Sequence, residues 1–180
     1  MTEEEAVGFA DEMRVGLHGT TRRVWGRRGV KVYQRKQIVY QWRYLVLAVD
    51  GRSGRLWWMW DETMRAEDLL PAVDALKEQT PLAALVWDRA PAHRDEQIHA
   101  LGLPLIEQPP YAPELNPAER VFEHLRAQIE GEVYPSLDAK IAAVDALLED
   151  LDAHPARVKS LAGWAWITDN LRRLPAEKAA

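Results

Sequence analysis

Two acidic residues that are far apart in the chain each follow a short apolar run. Asp11 follows the run 6–10, and Asp88 follows the run 81–87. Parallel neighbouring strands bring their carboxyl ends to one edge of a sheet, so we expect these two carboxylates to lie together. Clustered carboxylates repel one another unless cations lie between them, and Mg²⁺ and Mn²⁺ prefer oxygen ligands. The pattern indicates a site for two divalent ions, which about 4 Å apart can catalyse displacement at a phosphodiester.

Glu119 is the candidate for a third acid in this site. Capping rules place Asn116 at the N-cap of a helix, Pro117 at N1 and Glu119 at N3. A glutamate at N3 also fits a capping box, in which it only stabilises the helix end, and spacing alone leaves both roles open. The segment 108–117 contains four prolines, which restrict the loop and fix where the helix begins. Such rigidity favours a metal ligand, whose position must hold within about 0.5 Å.

Several other acids compete with these candidates. Asp50 precedes a predicted turn, and Asp61 and Glu62 precede a predicted helix, which favours turn and cap roles for all three. Glu12 is adjacent to Asp11 and would point to the opposite face of a continuing strand. The five histidines show no zinc-like spacing, so zinc is not expected.

A basic segment follows the first acid. Residues 13–49 include nine basic side chains and no acidic one, although the net charge of the whole chain is −5. Aromatic rings lie among these basic side chains, and the mixture suits a phosphate backbone with unstacked bases. We expect DNA contact here, with Trp25 as the stacking residue; a solvated basic surface without a partner is the alternative. The residues predicted to bind DNA are Arg22, Arg23, Trp25, Arg27, Arg28, Lys31, Arg35 and Lys36.

Apolar periodicity and turn residues predict the elements that position these side chains. Strands are expected at 6–10, 30–35, 41–50, 55–60, 81–87 and 103–108. Helices are expected at 65–79, 92–100, 117–130, 137–151 and 156–173. A three-stranded antiparallel meander followed by βαβ units predicts an α/β fold of the ribonuclease H-like type. It would have a mixed five-stranded sheet flanked by helices, a basic hairpin or loop insertion near the first strand, and two extra C-terminal helices.

Four stretches resemble the catalytic core of bacterial insertion-sequence transposases of the mariner-like superfamily. VWDRAPAHR (86–94) is similar to the family's Asp-Asn-x-x-x-His motif. QPPYAPELNPAERVFEHLR (108–126) is similar to its Leu-Pro-Pro-Tyr-Ser-Pro-x-Leu-Asn-Pro-Ile-Glu-x-x-Trp motif. GFADEMRVGL (8–17) resembles the segment with the first aspartate, and RRVWGRRGVK (22–31) resembles the Trp-x-x-x-Gly that follows it. The resemblance covers about residues 6–130.

This resemblance assigns roles to individual residues. It implies that Asp11, Asp88 and Glu119 form the catalytic, metal-binding triad, with Mg²⁺ or Mn²⁺ as the cofactor. The residues expected to border the site are His93, Arg89 and Asn116. His93 would orient Asp88 or the helix start, and a purely structural role for it is the alternative. The chain departs from the family pattern at three positions, with Arg89 for Asn, Phe122 for Trp and Ala112 for Ser. A cation at position 89 must point away from the metal or contact phosphate.

The resemblance also implies a function and partners. Water would attack at a transposon end and release a 3′-hydroxyl, which would then attack target DNA. Asp11 lies near the N-terminus, so we expect a separate or frameshift-fused chain to supply the helix-turn-helix module that reads transposon ends; a truncated copy of a transposase is the alternative. A nuclease without strand transfer and an inactive remnant that binds or regulates other chains are the alternatives. A homodimer contact through the C-terminal helices is also open.

Length and composition suggest the class of protein. The 180 residues predict a single domain over 1–180, in which 131–180 is a helical extension. The chain has no cysteine, which excludes disulfides and thiolate metal sites. It has no apolar run of ~18 residues and no signal peptide pattern, so we expect a cytoplasmic protein with no membrane partner.

Overall fold

A computed structural model of the chain describes residues 6–21 and 24–171. The strands are β1 (Ala6–Gly16), β2 (Trp42–Asp50), β3 (Arg55–Asp61), β4 (Leu82–Trp87) and β5 (Leu105–Glu107). The α-helices of the described residues are α1 (Ala66–Gln79), α2 (Glu96–Ala100), α3 (Ala118–Ile129), α4 (Leu137–Asp152), α5 (Pro155–Ala162) and α6 (Ala165–Leu171). Two short 3₁₀ helices lie at Pro91–Arg94 and Pro113–Leu115.

The five strands form one mixed sheet in the order β3-β2-β1-β4-β5. β1 pairs antiparallel with β2, and β2 pairs antiparallel with β3. β4 pairs parallel with β1, and β5 pairs parallel with β4. The predicted α/β fold with a mixed five-stranded sheet flanked by helices is therefore confirmed.

Helices cover both faces of this sheet. Helices α1 and α2 pack on one face with Ala10 and Leu85, whereas α3 to α6 pack on the other face with Phe9 and Met13. Successive side chains of a strand point to opposite faces, so adjacent residues of β1 enter different halves of the core. Strands that are covered on both faces need continuous apolar runs, which explains the sequence of β4.

The first strand is longer than predicted. β1 continues past Asp11 to Gly16 because β2 pairs with it as far as Gly16 opposite Trp42. The parallel pairing with β4 stops earlier, at Phe9 opposite Val86. Asp11 therefore lies within β1, just beyond its pairing with β4, and the prediction that it closes the strand is wrong.

The segment that joins β1 to β2, residues 17–41, is named the basic loop here. The strand predicted at 30–35 is absent from its described residues, which form turns and irregular backbone. One contact joins this loop to the segment between α3 and α4, and a second joins the end of β1, just before the loop, to α4. Gln37 Nε2 donates to Tyr134 O at 2.9 Å, and Lys140 Nζ of α4 donates to Gly16 O at 2.7 Å.

The C-terminal segment contains three helices in its described part rather than the two predicted. The helix expected over 156–173 is interrupted at Gly163, between α5 and α6. Gly163 lies against the β2–β3 turn, where a Cβ atom at 163 would lie 2.5 Å from the carbonyl oxygen of Gly51. This close approach of two backbones requires glycine and ends the helix, and local periodicity does not reveal it.

No helix in the described part of the chain has the length and apolar character that a bilayer span requires.

The glycine contact yields a stability prediction. Gly163→Ala should lower the free energy of unfolding by about 1–3 kcal/mol, because the added methyl group forces the turn and the helix end apart. Urea denaturation checks this value. Ser160→Ala, an exposed position on α5, is the control and should change the value by less than about 0.5 kcal/mol. Equal effects of the two substitutions would contradict the contact.

Candidate active site

Asp11, Asp88 and Glu119 line one groove of about 400 Å³. Asp11 comes from β1, Asp88 follows β4, and Glu119 lies in the first turn of α3. Asp11 and Asp88 each lie two residues beyond the paired Phe9 and Val86, so the parallel register places them side by side. The remaining wall is formed largely by the proline-rich loop 108–117.

Each of the three carboxylates has a partner within the protein. Asp11 Oδ1 accepts a hydrogen bond from the Glu12 amide at 2.8 Å. Asp88 Oδ1 accepts one from the Ala90 amide at 2.9 Å. Glu119 Oε2 lies 3.4 Å from Arg126 Nη1. Within residues 6–21 and 24–171, no three acidic or histidine side chains lie close enough to hold one ion between them.

Asn116 connects the start of α3 to β1. Its side chain, 2% exposed, donates to Ala10 O at 2.9 Å and to Asp11 Oδ2 at 3.3 Å. Its Oδ1 accepts from the Ala118 amide at 3.0 Å, which together with an extended backbone gives Asn116 the features of an N-cap. The two roles place the helix that carries Glu119 against the strand that carries Asp11.

The capping-box alternative for Glu119 is wrong. A capping box requires the glutamate side chain to accept the N-cap amide. The Asn116 amide donates instead to Pro113 O at 3.0 Å, and the Glu119 carboxylate lies beside Arg126. The Glu119 carboxylate therefore does not cap the N-terminus of α3.

The groove concentrates negative charge. Burial raises the pKa of Asp11 to about 7; the Glu12 amide opposes this shift, and the carboxylates of Glu12, Glu119 and Asp88 add to it. A strongly raised pKa at a carboxyl in a groove is a feature of functional sites.

His93 lies behind Asp88 and is buried. Its ring is stacked on Trp87, with centroids 3.7 Å apart and an angle of 16°. Nδ1 lies 2.7 Å from Asp88 Oδ1, and Nε2 lies 3.3 Å from Glu12 Oε1. Burial alone lowers the pKa of His93, but contact with Glu12 and the charges of Glu12 and Asp88 outweigh it and raise the pKa. Glu12 points away from the groove as predicted, but its contact with His93 was not predicted.

Arg89 is turned toward β5. Its Nε donates to Gln108 O at 3.0 Å and lies 3.1 Å from Glu107 Oε2, which Arg94 also contacts. Arg89 therefore anchors the first residue of the proline-rich loop. This position explains how a cation is accommodated next to Asp88.

Tyr111, in the proline-rich loop, was not singled out from the sequence. It has φ 57°, the one positive value at a non-glycine residue of the described chain, and its side chain is fully exposed on the wall of the groove. Residues held in sparsely populated conformations cluster at functional sites. The flanking prolines are the signal in the sequence that could have indicated it.

The competing acids serve other contacts. Asp50 is buried, and its Oδ1 accepts the Arg52 amide at 2.9 Å, which is the predicted turn role. Asp61 is the last residue of β3, and Glu62 lies 2.9 Å from Arg43 Nη2. Helix α1 begins later, with Arg65 at its N-cap, so the cap role predicted for these two acids is wrong.

The basic loop presents its charges to solvent. In its described residues, no ion pair involves the predicted DNA-binding cations, and all of their side chains are exposed; they are Arg27, Arg28, Lys31, Arg35 and Lys36. Trp25 is fully exposed, and Lys31 Nζ lies 5.1 Å from the centroid of the Tyr33 ring. Arg22 and Arg23 lie outside the described residues.

The fold and the groove together define a ribonuclease H-like catalytic domain. The family model "DDE superfamily endonuclease" matches residues 6–139. Because this match covers well over half of the chain, the protein belongs to the DDE superfamily endonucleases, a family of enzymes. The resemblance seen in the sequence motifs is confirmed.

Solved structures share the fold at low identity. The mariner Mos1 paired end complex with Mg gives a TM-score of 0.63 at 15% identity, over 90% of this chain and 54% of that one. The catalytic domain of Mos1 mariner transposase gives a TM-score of 0.57 at 12% identity, over 90% of this chain and 83% of that one. A simian T-cell lymphotropic virus intasome in complex with PP2A regulatory subunit B56 gamma gives a TM-score of 0.51 at 12% identity, over 78% of this chain and 47% of that one.

The chain spans 55–56% of the length of the first Mos1 transposase chains that it resembles. No curated protein matches it significantly in sequence.

The raised pKa of Asp11 predicts how stability depends on pH without metal. Because the folded-state pKa lies above 3.8, protonated Asp11 stabilises the fold fully below pH 4, and this contribution is lost as pH rises through about 7. Asp11→Asn should therefore exceed wild type in the free energy of unfolding by about 2 kcal/mol at pH 8, allowing for solvent screening. The difference should vanish near pH 4. Denaturation in chelator at several pH values measures it, and a pH-independent difference would contradict the shift.

Proposed function

We propose that this chain is the catalytic part of a DNA transposase. It cleaves DNA strands at transposon ends in a metal-dependent reaction and transfers the resulting 3′-hydroxyl into target DNA. One observation carries the proposal. In a member of the DDE superfamily endonucleases, carboxylates from three elements that are remote in sequence line one groove.

Asp11, Asp88 and Glu119 would hold Mg²⁺ or Mn²⁺, and we infer two ions. The donor set suits these ions, because it consists of carboxylate oxygens. Burial raises the pKa of Asp11, neighbouring carboxylates raise it further, and a bound cation would favour its charged form. Mos1 paired end complexes with Mn and with Mg have been solved. When bound, the ions activate the attacking oxygen and stabilise the leaving oxygen of the phosphodiester.

The protein's own residues hold and orient these ligands. Asp11 must lose its proton to bind a cation, so ion binding weakens as pH falls below about 7. His93 and the Ala90 amide direct the carboxylate of Asp88. Asn116 fixes the start of α3 against β1 and so sets the place of Glu119.

DNA is the proposed partner, and the basic loop is its proposed binding surface. Exposed cations that form no ion pairs are available to phosphates, and Trp25 is available to stack on an unstacked base. Solved Mos1 structures include a paired-end complex with a transposon end and a strand transfer complex. We infer that a helix-turn-helix module outside this sequence reads the transposon ends, and that the protein acts in the cytoplasm.

The reaction can be tested directly. With a DNA end that bears a free 3′-hydroxyl, Mn²⁺ and a plasmid target, the chain should form joined product. Loss of one ligand should reduce that product by about 100-fold or more in each of Asp11→Asn, Asp88→Asn and Glu119→Gln. Glu114→Gln, a carboxylate of the same loop outside the groove, should keep wild-type activity.

Other outcomes of this assay distinguish the alternatives. Hydrolysis without joined product would identify a nuclease. If the wild-type chain forms no product and binds no Mn²⁺, and if Asp88→Asn behaves in the same way, the chain is an inactive binding protein.

The DNA surface has its own test. Replacing Arg27, Arg28 and Lys31 together by alanine should weaken binding to unrelated DNA sequences alike and reduce the slope of log K against log salt by about 2–3, since each phosphate contact adds about 0.9. Fluorescence anisotropy at several salt concentrations measures the slope. A charge-matched triple variant at Arg52, Arg157 and Lys159 should leave it unchanged, and equal slopes for all proteins would exclude this surface.

A further inference from the structure

Glu12 is a buried carboxylate on the face of β1 opposite the groove. Its side chain is 3% exposed. A buried carboxylate is strongly unfavourable unless a cation or hydrogen-bond donors compensate it. The side chain that faces it is His93, which is also 3% exposed and whose Nε2 lies 3.3 Å from Glu12 Oε1. The two atoms are within ion-pair distance but are not aligned as a hydrogen bond.

The other nitrogen of the same ring faces Asp88. Nδ1 lies 2.7 Å from Asp88 Oδ1 and 3.3 Å from its carbonyl oxygen. Stacking on Trp87 restricts the ring to one plane. Both ring nitrogens therefore lie beside carboxylate oxygens, Nε2 beside Glu12 and Nδ1 beside Asp88. The ion-pair contact at Nε2 therefore helps to hold the ring, and with it the position of Nδ1 beside Asp88.

Asp88 needs such support because it is not held by the sheet. It follows the last residue of β4, and its side chain is 55% exposed. The Ala90 amide donates a hydrogen bond to Asp88 Oδ1, and His93 Nδ1 lies within ion-pair distance of the same oxygen. Of these two partners, the His93 ring is a side chain and the Ala90 amide belongs to the backbone. The orientation of the His93 ring therefore decides where the Asp88 carboxylate points.

We propose that Glu12 is a positioning residue of the active site, which orients His93 and through it the carboxylate of Asp88. The proposal rests on the proposed function, because Asp88 matters only if it serves as a ligand there. Glu12 itself does not reach the groove and touches neither metal nor DNA. The contact resembles in kind the outer partners that orient metal ligands, whose loss typically lowers metal affinity or activity about 10–100-fold.

Glu12→Ala and Glu12→Gln test the proposal in the full chain. Mn²⁺ affinity, measured by electron paramagnetic resonance, should fall at least 10-fold in Glu12→Ala. It should stay within about 3-fold in Glu12→Gln, which keeps the reach and an acceptor oxygen. DNA affinity should be the same in all three proteins. Asp50→Asn, another buried carboxylate of the sheet, is the matched control and should lower stability without changing Mn²⁺ affinity.

A metal-free readout separates this proposal from the proposed function. In ¹⁵N-labelled protein with chelator, the Nδ1 proton of His93 should give a protected signal in wild type and Glu12→Gln, and His93→Gln assigns it. Glu12→Ala should lose that signal; if it does not fold, Glu12→Asp, which shortens the reach, takes its place. A retained signal with unchanged Mn²⁺ affinity would overturn the role of Glu12. Absence of Mn²⁺ binding in the wild-type protein would overturn the proposed function, and the proposed role of Glu12 would be overturned with it.

Discussion

The hydrogen bonds of Asn116 are the contacts on which the geometry of the groove depends. Asp11 and Asp88 are related by the parallel pairing of β1 with β4, so the backbone alone fixes their relative position. Glu119 belongs to a helix, and no backbone ladder joins a helix to a sheet. The buried Asn116 side chain makes this connection, because it donates to β1 and accepts from the first turn of α3. The prolines before it limit the directions from which the chain can arrive.

The charges of the groove oppose folding in the absence of cations. Burial and neighbouring carboxylates raise the pKa of Asp11, while Arg126 and His93 partly offset the charges of the other two acids. Tyr111 adds a backbone conformation that tyrosine rarely adopts. Such unfavourable features persist at functional sites when the surrounding structure determines them. Here the surrounding structure is the β1–β4 pairing and a core on both faces of the sheet.

The sequence predicted those parts of the fold that depend on local pattern. The apolar run before Asp88 is a strand because both of its faces are covered, and the Asn-Pro pair at 116–117 begins α3 as capping rules require. The errors arise from distant contacts. β1 extends past Asp11 because β2 is available to pair with it, and α5 ends where Gly163 meets the β2–β3 turn. The contact of Glu12 with His93 joins two residues 81 positions apart, which no local pattern encodes.

The contact of α4 with the end of β1 has a practical consequence for protein engineering. The family match ends at residue 139, and Lys140, which donates to the last residue of β1, is the next residue. A minimal fragment cut at the family boundary would discard this lysine together with Val144 and Leu148, which fill the core beneath the sheet. Expression plasmids for a minimal nuclease should therefore retain the chain through Leu171, because α5 and α6 fill the same core.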